Sequence, residues 1–335
     1  MINQKNYMNS EFSKNGNELV VTESDFATDT FKGLSSVRKY LLPKYFYDET
    51  GTGIFQKIMN MPEYYPTACE HEIFTTHKEY MSDIFNKGSE RFDLIELGSG
   101  DGVKTRILLQ KLVEQRSNLR FVPIDISPTA TAELTGSLKK SLPDLLVEPL
   151  TGDYFHLTDR INGSSRKVIL FLGSNIGNFP DEELDLFLQQ LSGITNRGDK
   201  AVIGFDLKKS PATIMSAYDD HRGLTAKFNL NHLSRINREL DADFDLQMFE
   251  HFTEYNPASG ALNSYLISKA EQRVFVEALG QSFLFKKWEP VFMELSRKFE
   301  FETIERLAAD YGFEIERHLT DRLNYFTDSI WTKTS

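Results

Sequence analysis

Cysteine is nearly absent from this sequence, in which Cys69 is the only one among 335 residues. A single cysteine excludes an internal disulfide framework and any zinc site built from cysteines. Long apolar runs are also missing, because no stretch approaches the roughly 18 residues that a membrane span needs. The first twenty residues are polar and carry no apolar core of a secretory signal. We therefore expect a cytoplasmic protein with no membrane partner.

Basic residues are outnumbered by acidic ones, 38 against 49, which gives a formal net charge of −11. Such a charge repels phosphate backbones and argues against nucleic acid as a partner. The histidines offer no metal-binding pattern, since His71 and His77 are six residues apart and the run Asp219–His221 is typical of a solvated helix start. We expect no metal site and a small-molecule ligand.

Glycine is concentrated in the loop GSGDG, residues 98–102. The loop follows the apolar run 92–97 and precedes apolar residues at helical spacing over 105–113, so the order is strand, glycine turn, helix. Glycines let the backbone turn sharply and approach a ligand closely. The loop reads G-x-G-x-G after the acid Glu96, whereas dinucleotide sites read G-x-G-x-x-G. This form favours S-adenosylmethionine over a nicotinamide cofactor; a tight turn without a ligand is the alternative.

Acidic residues stand at the ends of the next two predicted strands. Asp125 ends the strand predicted over 119–125, and Asp153 and Tyr154 follow a strand that begins near Leu145. The carboxyl ends of parallel strands meet at the ligand crevice of an open α/β sheet. Asp125 could therefore hold a ribose diol, while Asp153 and Tyr154 could contact an adenine ring. Taken singly, each acid is more often a solvated loop residue.

The rest of the pattern predicts an α/β sheet with a second lobe inserted into it. A fourth strand runs from Lys167 into the loop 172–179, and a fifth strand follows a helix. The final residues read as helix, strand, turn, strand, which is the usual end of a seven-stranded methyltransferase sheet. Before them lie helical residues and then three short β-prone runs, which predict an antiparallel meander.

These patterns divide the chain into four predicted parts. They are an N-terminal segment 1–68 that joins the substrate lobe, a methyltransferase core 69–207, an inserted α+β substrate-binding lobe 208–296, and a closing helix and β-hairpin 297–335.

Five stretches carry a resemblance to a known family. They are LLPKYFYDETGTGIFQKIMNMPEYYPT, IELGSGDGVKTRILL, FLGSNIGNF, AYDDHRGLTAKFNLNHLSRINRELDADFD and MELSRKF. Together they resemble the histidine-specific Nα-methyltransferase family, whose members trimethylate L-histidine to hercynine in the first step of ergothioneine synthesis. The resemblance extends from about Gly33 to Trp331. It implies a class I S-adenosylmethionine-dependent methyltransferase fold (a seven-stranded Rossmann-like sheet), with S-adenosylmethionine as methyl donor, S-adenosylhomocysteine as product and a monomeric chain.

The resemblance also implies roles for individual residues. The cofactor would contact Gly98, Ser99, Gly100, Lys104, Asp125, Asp153 and Tyr154. The substrate carboxylate would be held by Asn178 and Tyr218, with Gly173 and Tyr47 near the amine, so that Tyr47, Asn178 and Gly173 form the catalytic set. The imidazole would be held by Tyr64, Glu294 and Ser296. Ser264 stands where the family commonly has a methionine beside the imidazole.

The residue pattern supports the imidazole assignment independently. Glu294 and Ser296 alternate in an extended segment, so both point to one face, where a carboxylate and a hydroxyl can pair with an imidazole. The expected reaction is in-line transfer of a methyl group to the neutral α-amine, with Tyr47 or a water that it orders accepting the proton. Two alternatives stay open. One is methylation of another amino acid, a histidine derivative or the imidazole ring nitrogen, and the other is a non-catalytic module that binds S-adenosylmethionine.

Overall fold

The computed structural model of the protein describes residues 23–87, 91–153, 161 and 165–334. Its helices are α1 (Glu23–Ser35), α2 (Glu49–Met59), α3 (Tyr65–Phe85), α4 (Val103–Glu114), α5 (Pro128–Ser141), α6 (Asp181–Ile194), α7 (Pro211–Tyr218), α8 (Leu224–Leu240) and α9 (Phe301–Asp310). Its strands are β1 (Phe92–Leu97), β2 (Leu119–Asp125), β3 (Leu146–Val147), β4 (Leu150–Thr151), β5 (Arg166–Phe171), β6 (Lys200–Asp206), β7 (Phe249–Asn256), β8 (Ala261–Ser268), β9 (Gln272–Val276), β10 (Gln281–Phe285), β11 (Pro290–Arg297), β12 (Phe313–Thr320) and β13 (Phe326–Lys333). None of these helices is long and apolar enough to cross a membrane.

The central sheet has the strand order β12-β13-β6-β5-β1-β2-β3, with β4 also paired to β2. Strands β2, β1, β5 and β6 run parallel, and β13 is antiparallel to β6. The order reverses at β1, which has β2 on one side and β5 on the other, and open sheets bind ligands at the carboxyl end of such a switch point. The predicted class I methyltransferase sheet is confirmed.

The third predicted strand is shorter than expected. It consists of two fragments, β3 and β4, which both pair with β2. Pro149 lies between them and has no N–H to donate to the strand ladder. Asp153 lies two residues after β4, and the N–H of Gly152 before it donates to the carbonyl of Asp125 at the end of β2.

Helices cover both faces of the central sheet. All six residues of β1 are buried, which is typical of a parallel strand between two helical layers. One apolar cluster joins β1 to α3, α4 and α5, and a second joins it to α6 and α9. The Ser127 side chain caps α5 by accepting from the N–H of Ala130, with Pro128 in the first turn.

The inserted residues form a sheet that differs from the predicted three-run meander. Strands β7, β8 and β11 pair antiparallel in the order β11-β8-β7, while β9 and β10 form a separate hairpin. The chain returns at Trp288, whose φ is +66° and whose N–H donates to the carbonyl of Ser268. This turn brings β11 back beside β8, which a local sequence pattern does not reveal.

Residues 26–61 pack on this sheet rather than on the central one. Leu41 donates its N–H to the carbonyl of Phe292, and Phe292 donates to the carbonyl of Lys39, each at 2.9 Å. One apolar cluster joins residues of α1 and α2, among them Phe26 and Ile58, to α8, β8 and β11. The substrate cleft described below therefore has walls from chain segments that are distant in sequence.

The 3₁₀ turn Asn175–Asn178 contacts both β6 of the central sheet and β11 of the second sheet. A Cβ on Gly177 would lie 2.6 Å from the carbonyl oxygen of Arg297. We expect Gly177→Ala to separate the turn from β11 and to lower the free energy of unfolding by about 1–3 kcal/mol. Urea denaturation would measure this change.

Gly193→Ala is the matched control. Gly193 is exposed in α6, and a Cβ added to it would meet no atom within 4 Å. Alanine there should be neutral or stabilising by up to about 1 kcal/mol, since it is the better helix former. Equal stability of the two variants would contradict the proposed contact.

Candidate active site

Two glycine turns face each other at the carboxyl ends of β1 and β5. Gly98 has φ of +72° and Gly173 has φ of +75°, conformations that favour glycine. A Cβ on either would lie 3.7 Å from Nδ2 of Asn175. The structure thus brings Gly98 and Gly173, both predicted from the sequence, to opposite sides of one crevice.

Asp125 fixes the glycine loop from the end of β2. Its carboxylate accepts the N–H of Gly100 and the N–H of Ser127, both at 2.9 Å. The backbone N–H of Gly152 donates to the carbonyl of Asp125, so Asp153 follows close by. The predicted cofactor residues Gly98, Gly100, Asp125 and Asp153 are therefore brought together, while Tyr154 lies outside the described residues.

Lys104 projects from the first turn of α4 to the same crevice. Its ammonium forms an ion pair with the buried carboxylate of Glu70, which also accepts the N–H of Gly173 at 2.8 Å. Burial acts to lower the pKa of Lys104, but the charge of Glu70 and its hydrogen bond raise it overall. Burial, followed by the charge of Glu70, raises the pKa of Asp328 well above its usual range. Lys104 is thus held as a cation between the two loops.

Aromatic side chains line a second, adjoining part of the cleft. Tyr47 contacts Phe55 and Phe228 with ring centroids 5.4 and 5.6 Å apart, Phe55 contacts Tyr64 at 6.2 Å, and Tyr64 contacts Tyr218 at 5.8 Å. Tyr47 is 48% exposed. Desolvation by the neighbouring rings, and then the charge of Glu294, raise its pKa, so the phenol stays neutral.

A β-bulge in β11 aims Glu294 into the cleft. Phe292 pairs with Tyr265, but Glu294 pairs with Ser264, so Met293 is the extra residue. Without the bulge, Glu294 would lie opposite Asn263, on the other face. Ser264 in turn pairs with Thr253 of β7. Glu294, Ser264 and Thr253 therefore form one polar row across three strands.

Glu294 is the unsatisfied member of this row. Among the described residues its carboxylate makes no hydrogen bond, and burial raises its pKa to about 7 against the opposing charge of Lys298. Burial is the main cause that raises the pKa of Tyr47, Tyr64 and Tyr218, and the charge of Glu294 adds to it, so the carboxylate is within electrostatic range of all three phenols. Ser296 is two residues on, with its hydroxyl 3.0 Å from that of Tyr218. The predicted substrate residues thus line one cleft.

Asn178 is the last residue of the 3₁₀ turn that follows β5. The preceding residue, Gly177, lies against the backbone of Arg297, which directly follows Ser296. Asn178 is half-buried, and within the described ranges its side-chain amide makes no hydrogen bond. Its amide group is therefore available to a ligand.

Four charged residues behind the cleft are absent from the sequence prediction. They are Glu70, Asp206, Lys298 and Asp328, all at most 1% exposed. Two of these four residues carry a signal in the sequence. Lys298 continues the alternation of Glu294 and Ser296, and Asp206 ends the fifth strand as Asp125 ends the second. Glu70 and Asp328 carry no comparable local signal.

With this geometry in place, comparison with known proteins decides the family. A family model described as histidine-specific methyltransferase, SAM-dependent, matches residues 26–333. The chain belongs to this family. The histidine N-alpha-methyltransferase of Mycobacterium tuberculosis is 36% identical over 306 residues, covering 91% of this chain and 94% of that protein. The protein of the same name from Mycolicibacterium smegmatis is 34% identical over 302 residues, covering 90% and 93%.

A more distant relative has a different substrate in its name. An L-tryptophan methyltransferase of Psilocybe serbica is 26% identical over 280 residues, covering 76% of this chain and 77% of that protein. The family predicted from the sequence is confirmed, and the chain is an S-adenosylmethionine-dependent N-methyltransferase.

The residues at the glycine turns fit S-adenosylmethionine. The Ser99 hydroxyl is buried and has no hydrogen-bond partner among the described residues. A Cβ on Gly100 would meet no atom within 4 Å, so the loop backbone borders open space. Lys104 supplies a cation for a carboxylate, and Asp125 keeps lone pairs for a ribose diol. These donors and acceptors match the amino-acid and ribose parts of the methyl donor.

The raised pKa of Glu294 gives a stability prediction. Below a pH of about 4.5 the carboxyl is protonated in both the folded and the unfolded chain. Between about 4.5 and 7 the unfolded chain ionises first, so the folded state loses stability as the pH rises, and above 7 the loss is constant. Glu294→Gln lacks this loss. Its free energy of unfolding relative to wild type should therefore be about 1–3 kcal/mol higher at pH 8 than at pH 5.

Urea denaturation of variant and wild type at both pH values measures that gain. Glu250→Gln is the control, because Glu250 is exposed on the outer face of β7 and should show no such pH dependence. A difference between Glu294→Gln and wild type that is the same at pH 5 and pH 8 would mean that Glu294 titrates normally.

Proposed function

We propose that the protein transfers methyl groups from S-adenosylmethionine to the α-amine of L-histidine, up to the trimethylated product hercynine. The observation that carries this proposal is the half-buried Glu294 carboxylate, which has no partner among the described residues and lies in a polar row opposite Ser264. The family match and the names of the bacterial relatives point to the same substrate.

The polar row suits an imidazole ring. A carboxylate accepts an N–H, and a hydroxyl can donate to the other ring nitrogen. An indole has one N–H donor and no acceptor nitrogen, so it would leave the Ser264 hydroxyl without a ring partner in a desolvated site, which costs binding free energy. The row therefore favours histidine over tryptophan, the substrate named for the fungal relative. Ser264 would then be a polar neighbour of the ring.

The other end of the amino acid would meet Asn178 and Tyr218. Both are half-buried, and each carries a group that can donate to a carboxylate. With the ring and the carboxylate held at two points, the α-amine has a fixed position between them. Gly173 and Tyr47 are the residues assigned to that position.

S-adenosylmethionine, when bound, supplies a methyl group on a positively charged sulfur. Tyr47 stays a phenol, because desolvation and the charge of Glu294 raise its pKa, so it orients the amine as a hydrogen-bond acceptor and not as a phenolate base. Its exposed face gives the amine proton a path to water. The faces of Tyr47, Phe55 and Tyr64 would stabilise the methylated ammonium by cation–π contact.

The proposal extends to the setting of the reaction. The proposed substrate is a free amino acid, and the proposed active unit is a single chain, as the resemblance to the family implies. The reducing cytoplasm is the proposed location, which is compatible with the buried free thiol of Cys69.

Glu294→Gln tests the substrate assignment kinetically. Loss of a charged acceptor for the imidazole N–H should raise KM for histidine about 10- to 100-fold. Initial rates with S-adenosylmethionine and varied histidine give KM, and Glu250→Gln on the outer face should leave it unchanged. An unaltered KM in Glu294→Gln would refute the imidazole assignment.

A further inference from the structure

Lys298 is a buried lysine directly behind the substrate residues. Its side chain is 0% exposed, and Nζ lies 2.7 Å from Oδ2 of Asp206. The same nitrogen lies 2.9 Å from the hydroxyl of Tyr218 and 2.9 Å from that of Ser296. It also sits 4.4 Å from the centroid of the Tyr218 ring. One ammonium group therefore contacts two of the side chains assigned to the substrate.

The donors and acceptors of this cluster fix the direction of its protons. A lysine ammonium has three N–H donors and no acceptor, and Asp206, Tyr218 and Ser296 use all three. Both hydroxyls must therefore accept from Lys298. They are also 3.0 Å apart, so one donates to the other. One O–H is left over, and it points away from Lys298, to the side of the cleft where the hydroxyl of Tyr64 also lies.

We propose that Lys298 is a positioning residue for the substrate, which acts through Tyr218 and Ser296. By forcing both hydroxyls to accept from it, Lys298 keeps one hydroxyl proton aimed at the ligand and polarises it as a donor. Lys298 itself does not touch the substrate, because it is fully buried and its three donors are occupied. This inference rests on the proposed function, since it takes Tyr218 and Ser296 as substrate contacts.

Lys209 offers a matched comparison within the same cluster. It also forms an ion pair with Asp206, and its side chain is 4% exposed. Its other hydrogen bonds go to the hydroxyl of Tyr65 at 3.0 Å and the carbonyl of Leu207, and it lies over the rings of Tyr65 and Tyr325, not over Tyr218. Lys209 thus shares the charge-pairing role of Lys298 and lacks the contacts to the substrate residues.

The experiment compares Lys298→Met with Lys209→Met. Either variant leaves Asp206 paired with one remaining lysine, so the buried charges balance and folding is expected. Lys298→Met should raise KM for histidine at least about tenfold, while Lys209→Met should change it less than about twofold. Similar KM values in the two variants would overturn the proposal, because pairing with Asp206 would then be the whole role of Lys298.

A double-mutant cycle measures whether the effects of Lys298 and of its two hydroxyl partners on KM are coupled, which a purely structural role of Lys298 does not predict. In the background Tyr218→Phe/Ser296→Ala, Lys298→Met should raise KM much less than it does in the wild type, because both hydroxyls through which it acts are already absent. Full additivity would count against the proposal. If Lys298→Met does not fold, Lys298→Gln replaces it. An amide can accept as well as donate a hydrogen bond, so it no longer forces both hydroxyls to act as acceptors. A wild-type KM in Lys298→Gln would overturn the proposal.

Failure of this inference is distinguishable from failure of the proposed function. If wild-type protein does not methylate histidine, the proposed function is wrong and Tyr218 has another ligand. If the wild type methylates histidine and the two lysine variants behave alike, only the role of Lys298 is wrong.

Discussion

The buried carboxylate of Asp206 is the interaction on which the substrate cleft depends. It ends β6 in the central sheet and holds Lys298 from the chain after β11, together with Lys209 and, at 2.8 Å, the hydroxyl of Tyr65 in α3. A buried charge is tolerated only when it is paired and hydrogen-bonded. Replacing this carboxylate would leave two buried ammonium groups facing each other. Burial lowers the pKa of Lys209 against the opposing charge of Asp206, and the nearby charge of Lys298 lowers it further.

The cleft shows the usual conflict between stability and binding. Glu294 is kept largely from water without a partner among the described residues, and it sits in a strand whose bulge turns it inward. A site that pairs this carboxylate only with a ligand loses folding stability in return for discrimination between substrates. The glycine turns differ in this respect, because Asp125 and Glu70 already satisfy backbone N–H groups there. The methyl-donor end of the cleft is therefore preorganised, while at the substrate end the Glu294 carboxylate has no hydrogen-bond partner among the described residues.

Local patterns predicted the central sheet well, because strand, turn and helix periodicities do not depend on distant residues. They also placed Glu294 and Ser296 on one face. The bulge at Met293, which sets Ser264 opposite Glu294, and the return of β11 beside β8 depend on pairing between strands, so no local pattern reports them. The pairing of Lys298 with Asp206, or of Lys104 with Glu70, joins residues far apart in sequence. The acids and lysines are visible in the sequence, but their partners become known only from the folded chain.

Product analysis tests the central claim most directly, namely that this cleft methylates the α-amine of histidine. The purified protein is incubated with S-adenosylmethionine and a mixture of the common amino acids and histamine, and the products are identified by mass spectrometry with fragmentation. We predict that histidine alone gains methyl groups, up to three, all on the α-nitrogen, and that histamine, which lacks the carboxylate, reacts poorly. Methylation of another amino acid, or of the imidazole ring, would contradict this claim.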